Sequence, residues 1–183
     1  MELIGIGPSA RFISTATGSC RSLYIATEDA QLILLRDITR ENMNIEALLE
    51  MDLISRILCL SDCTTNETNC GMKGVQPVII DFRIAMREQY SKDDIWERFV
   101  GGNSEYNYLK LMSEAAQADE GIKRQVATKA LNKWSLRDKI QIAENWARDF
   151  ESDNPQIVFE NDLKTYTKDI LATIDCLNKK LSI

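Results

Sequence analysis

Apolar and polar positions alternate near the start of the chain, then settle into a spacing of three or four residues that persists to residue 181. Ser22–Thr27 and Gln31–Arg36 are short runs rich in aliphatic and β-prone residues, separated by Glu28-Asp29-Ala30. The pattern predicts two strands joined as a hairpin by that three-residue connection. Leu3–Ile6 and Arg11–Ala16 are further short strand candidates, so the strand signal lies before about residue 38.

Helical spacing follows. Thr39 or Asn42 is placed to cap a helix reaching about Leu60, with Leu48, Met51, Ile54 and Leu58 on one face. The polar run 61–74 reads as a loop. Pro77 then suits the first turn of a helix carrying Ile79, Phe82, Met86 and Tyr90. Ser91-Lys92-Asp93-Asp94 resembles a capping box, with Asp for the usual Glu, ahead of a short helix through Trp96, Phe99 and Val100 that Gly101-Gly102 stops. Ser104 opens the next, with Leu109, Met112 and Ala116 inward, and Ile122, Val126, Ala130 and Trp134 mark another. Ser135–Asp138 repeats the Ser-x-x-Asp pattern before Ile140, Ala143, Ala147 and Phe150. After a turn over 151–155, Leu163, Tyr166, Ile170, Ile174, Leu177 and Leu181 line one seam.

The expected fold is therefore α+β and predominantly α-helical. A small N-terminal β-hairpin or sheet over 1–38 packs on a bundle of about six helices over 39–183, the two forming one compact domain. A length of 183 residues with 44% hydrophobic and 27% charged side chains suits one such domain with a substantial core.

Net charge is −6, with an excess of −4 over residues 1–90 and −2 over 91–183, so neither half is basic. That balance disfavours nucleic acid as a partner, because binding a phosphate backbone calls for a cationic face. The local basic stretch Lys123-Arg124, Lys129, Lys133, Arg137 and Lys139 reads as an outward, solvated face. The longest apolar runs are only a few residues, such as Leu32–Leu35, which predicts no membrane partner. The first eight residues lack the basic segment and apolar run of a secretory signal, and five cysteines in such a chain read as reduced thiols of a cytoplasmic protein. In that compartment the Asn66-Glu67-Thr68 sequon carries no glycan.

The chain contains no histidine, which excludes Ser-His-Asp and Cys-His activation and any His-bearing metal site. Three features bear on other chemistry. Gly5-Ile6-Gly7-Pro8-Ser9-Ala10 fits the G-x-G-x-x-G/A dinucleotide fingerprint, with Glu28 at about the distance of a ribose ligand. The context opposes it: Ser9–Ser19 is a poor helix former, and no alternating strand–helix pattern continues beyond. Cys59, Cys63 and Cys70 have spacing compatible with zinc, yet three thiolates need a fourth ligand from Cys20 or Cys176. Carboxylates at Asp93-Asp94, Asp119-Glu120, Asp138 and Asp149 fall at helix ends or on polar faces, where capping explains them. No catalytic, cofactor-binding or metal-binding residue is assigned, and no cofactor is expected.

Trp96, Trp134 and Trp146, with Tyr106 and Tyr108, concentrate residue types common in binding hot spots, although each Trp lies on or near an apolar helical stripe. The expectation is a non-enzymatic cytoplasmic interaction protein (a regulator, inhibitor or adaptor) that binds a protein partner through helical surfaces. The alternatives are a His-free enzyme using a nucleotide at Gly5–Ala10 or a carboxylate-bound metal, and a self-associating assembly component that forms a homodimer through its C-terminal helix.

Overall fold

Asn44 starts the element around which the others are arranged. Its side chain accepts a hydrogen bond from the Ala47 N–H at 3.1 Å and caps helix α1 (Ile45–Leu58). Cys59 ends the helix in the left-handed region, φ 54°, with its N–H returning to the Arg56 carbonyl. The computed structural model describes residues 1–17, 20–60, 63, 66–81, 84, 94–101, 110–153 and 160–183. Every residue of α1 from Ala47 to Ile57 is buried, so the apolar face at Leu48, Met51 and Ile54 is only part of a helix enclosed on all sides. A 3-10 turn, Arg40–Asn42, fills the stretch where the helix was expected to begin.

Two small antiparallel sheets accompany the helices. β1 (Ala10–Thr17) pairs with β2 (Cys20–Thr27), in a register running from Ala10 opposite Thr27 to Thr17 opposite Cys20. β3 (Ile33–Leu34), β4 (Cys70–Lys73) and β5 (Gln76–Ile79) form the second, in that order. The expected hairpin between Ser22–Thr27 and Gln31–Arg36 is therefore wrong in its pairing. The first run belongs to β2 and joins β1, whereas Ile33–Leu34 pairs with Met72 and Gly71. Local spacing is blind to a partner so distant in sequence. Gly71 permits the approach, since a Cβ there would lie 2.1 Å from the Ile33 carbonyl oxygen.

Strand signal also extends beyond residue 38. β4 lies inside the stretch read as loop, and Pro77 sits in the edge strand β5 rather than opening a helix. Ile79 belongs to that strand, while Phe82, Met86 and Tyr90 lie outside the described residues. Leu3–Ile6 is not a strand. Glu2–Ile4 is a 3-10 turn that Gly5 closes at φ 72°.

The remaining helices are α2 (Asp94–Val100), α3 (Lys110–Ala115), α4 (Glu120–Trp134), α5 (Leu136–Asp153) and α6 (Glu160–Leu181). The fold is α+β and predominantly helical, with six α-helices among the described residues. Ser91–Asp93 and Ser104 fall outside the described residues. Asp119 caps α4 by accepting from the Ile122 N–H. Ser135 serves as the left-handed C-cap of α4, φ 45°, and its hydroxyl donates to the Asn132 carbonyl. The expected Ser135–Asp138 capping box is thus replaced by a tight turn between α4 and α5.

One apolar cluster runs from Ile6 to Leu181. α6 contributes Ile170, Ile174, Leu177 and Leu181 to it, so its seam is spent inside its own chain. α4 buries Val126, Ala130 and Trp134 of its predicted face and departs from it in the first turn. Ile122 is exposed, and Lys123 takes the inward position at 1% exposure.

The enclosure of α1 draws charges into the interior. Arg56 Nε donates to Asp52 Oδ2 at 3.0 Å, one turn away, with both side chains buried. Lys123 Nζ donates to the carbonyls of Val100 at 2.9 Å and Ala116 at 2.6 Å. Val100 is the last residue of α2 and Ala116 follows α3, so one ammonium satisfies carbonyls at two helix C-termini, where the helix dipole favours a cation. Lys129 pairs with the exposed Glu46 and Lys133 with the buried Glu50, both at 3.2 Å, and the two pairs fasten α4 to α1.

Removing one partner of the buried pair leaves a stranded charge. Arg56→Met is expected to lower stability by about 3–5 kcal/mol, and Asp52→Leu combined with Arg56→Met to recover most of it, measured by urea unfolding. Burial holds the Lys123 pKa below its ordinary 10.5, against the raising influence of Asp52 and with a further lowering by Arg56. The unfolded chain then binds that proton more tightly than the folded one. The penalty is complete well below the folded pKa and disappears as pH rises towards 10.5. Wild type should therefore gain stability relative to Lys123→Met across that alkaline window, although the variant is the less stable protein at neutral pH because two helix-end carbonyls lose their donor.

Candidate functional site

Of the residues singled out for chemistry or binding, Asp93, Tyr106 and Tyr108 lie outside the described residues. Gly7 packs against the N-terminus: a Cβ there would lie 2.5 Å from Met1 Cβ and 3.2 Å from the Ile79 carbonyl oxygen. Ile6 accepts from the Ile79 N–H at 2.8 Å, and Ser9 donates to Glu2 at 2.9 Å. The Gly5–Ala10 segment therefore joins a 3-10 turn to strand β1, with no helix N-terminus following it to receive a pyrophosphate.

Cys59 donates from Sγ to the Arg56 carbonyl, Cys63 to the Asp81 carbonyl, and Cys70 lies within β4. Among the described residues no three Cys, Asp or Glu side chains gather around a point where a metal would sit. Burial, with Cys63 and Glu67 nearby, pushes the Cys70 thiol up to about 12. Asn66 accepts from both the Thr68 N–H and hydroxyl, which makes the sequon a compact polar turn.

The basic stretch 123–139 is largely engaged. Lys123 is buried, and Arg124 lies over the Trp96 ring at 5.1 Å while bonding Glu120 and the Lys180 carbonyl. Lys129 and Lys133 hold α1, and Arg137 pairs with Asp175 of α6. These cations are clamps between helices and do not form one free phosphate-binding face. An open groove of about 470 Å³ between α5 and α6 is lined by Arg137, Lys164 and Lys168 against Glu144 and Asp175. Its mixed charges compensate one another and present no organised nucleophile or base.

The feature that stands apart is α5. Asp138 lies in its first turn, where a carboxylate complements the dipole, but its last turn holds no basic residue while Glu151 and Asp153 lie near that end. Only Leu136 is buried, and Ile140 packs against the core from a half-buried position. None of the hydrophobics from Ile142 to Phe150 belongs to the core cluster or packs on it among the described residues. Trp96 and Trp134 are core residues, but Trp146 is 51% exposed.

At 3.6 residues per turn, Ile140, Ala147, Ala143, Phe150, Trp146 and Ile142 spread over an arc of about 160°. α6 and the Glu2–Ile4 turn contact α5, and Ile140 is the member of the arc that packs on the core. The side away from Ile140 carries Lys139, Ile142, Trp146, Asp149 and Asp153 at spacings of three, four, three and four residues, which is the spacing of a helix-pairing seam. Sequence reasoning missed this second stripe because it assigned Ile140, Ala143, Ala147 and Phe150 inward and counted Trp146 with them. The available signal was the width of the apolar arc, more than one neighbouring helix covers.

No protein-family model matches the chain, and no curated protein or solved structure matches it. No helix among the described residues is long and apolar enough to cross a membrane.

The thiols give a direct check of this placement. Of Cys59, Cys63, Cys70 and Cys176, only the half-buried Cys176 should react promptly with a thiol reagent at pH 8, the other three reacting after denaturant is added. Peptide mapping of the modified sites reads the outcome.

Proposed function

We propose that this chain is a non-enzymatic cytoplasmic interaction protein, a regulator, inhibitor or adaptor, that binds a protein partner through the outward stripe of α5. The observation carrying this reading is Trp146, half exposed at the middle of the amphipathic helix α5. A large aromatic ring flanked by Ile142 and Phe150 and bounded by charges has the make-up of a binding hot spot, with an apolar centre and a polar rim. The buried acids and cations support the same reading from another direction: Asp52, Arg56 and Lys123 are enclosed where no substrate reaches them, and they serve the core.

A benzophenone side chain placed at position 146 tests it. In cells, that position is expected to give discrete crosslinked products, and the exposed polar positions Gln141 and Asn145 on the same helix none. Trp146→Glu should abolish partner binding with thermal stability within about 1 kcal/mol of wild type, as expected for a surface change. Equal crosslinking at all three positions, or none, contradicts the proposal.

A further inference from the structure

We propose that the partner of this stripe is a second copy of the same chain, with the two α5 helices antiparallel about a two-fold axis through Trp146. This rests on reading α5 as an interaction surface and adds what occupies it. Opposite charges stand at equal distances on either side of Trp146. Counted from Trp146, Lys139 lies seven residues before and Asp153 seven after. An antiparallel, two-fold pairing sets residues at equal distances before and after the axis against each other. Trp146 then meets Trp146, and Lys139 meets Asp153 twice.

The charges are segregated in the sense this pairing needs. Lys139 stands at the N-terminal end of the stripe, and Asp149 and Asp153 at its C-terminal end. All three lie outside every ion pair among the described residues, whereas Arg124, Lys129, Lys133, Arg137 and Lys180 are each committed to one. A parallel pairing would bring like charges together at both ends. The antiparallel one brings a cation to the acidic C-terminus of each α5, whose last turn lacks a basic residue of its own and whose dipole end is negative. It also places the two helix dipoles head to tail.

The seam from Lys139 to Asp153 is about 21 Å long at 1.5 Å per residue. One helix face of that length and about 10 Å across covers far less than the roughly 800 Å² per partner of a standard interface, so the dimer is weak, with a dissociation constant in about the micromolar range or above.

Sedimentation velocity on the purified full chain, from low-micromolar to several-hundred-micromolar concentration, is the test. The sedimentation coefficient should climb from monomer to dimer, with a blue shift of Trp146 emission as the ring leaves water. Lys139→Asp and Asp153→Lys should each weaken association at least about tenfold, and the double reversal should restore it, because positions 139 and 153 then again face each other with opposite charges. Circular dichroism on the same samples checks that each variant is folded. Two results overturn the pairing: a chain that stays monomeric throughout, or a double reversal no better than the worse single change. If the chain is monomeric while position 146 crosslinks a different protein in cells, the self-pairing fails and α5 as an interaction surface stands.

Discussion

A helix enclosed on every side must carry its charges into the interior, and α1 does so. Its residues from Ala47 to Ile57 are all buried, including Glu50, Asp52 and Arg56. Asp52 and Arg56 are held together one turn apart, and Lys123 of α4 enters the same region to hold the carbonyl ends of α2 and α3. The cost of desolvating these groups is offset only because each meets a partner at hydrogen-bond distance. Shifting α4 by one residue would withdraw Lys123 from both carbonyls. The ionic contacts thus fix how α1, α2, α3 and α4 sit together, beyond what apolar packing specifies.

That arrangement accounts for the distribution of the remaining charge. The basic residues of α4 read as a solvated face in the sequence but are committed within the fold, Lys129 to Glu46 and Lys133 to Glu50 of α1, and Arg124 to Glu120 one turn away. α6 is consumed in the same way: its apolar seam enters the core, and Tyr166 donates its hydroxyl to the Leu58 carbonyl at the end of α1. α5 is different. It leaves α4 at the left-handed Ser135, contacts the core through Leu136 and Ile140, and leaves Trp146 half exposed. The site proposed for function is the surface that the core did not use.

Much of this was legible in the sequence, and the misses share a cause. The helical class, the inward faces of α1 and α6, and the core positions of Trp96 and Trp134 follow from a period of 3.6 residues, which is local information. The pairing of β3 with β4 does not, because it joins Ile33 to Met72 across α1. Nor does the first turn of α4, where burying Lys123 instead of Ile122 runs against hydrophobicity and is decided by carbonyls at the ends of two other helices. For α5 the apolar pattern was visible but its two sides were not separable, since sequence periodicity marks an apolar face without saying how many neighbours cover it.

Native-state hydrogen exchange measures both halves of this account at once. The amides of α1 around Asp52–Ile57 and of α4 around Lys123–Leu131 should exchange only through global unfolding. Those of α5 from Gln141 to Asp153 should exchange by local opening in dilute protein, and slow when the stripe is covered. Protection of 141–153 as strong as that of α1 at every dilution would contradict the account, because α5 would then belong to the closed core.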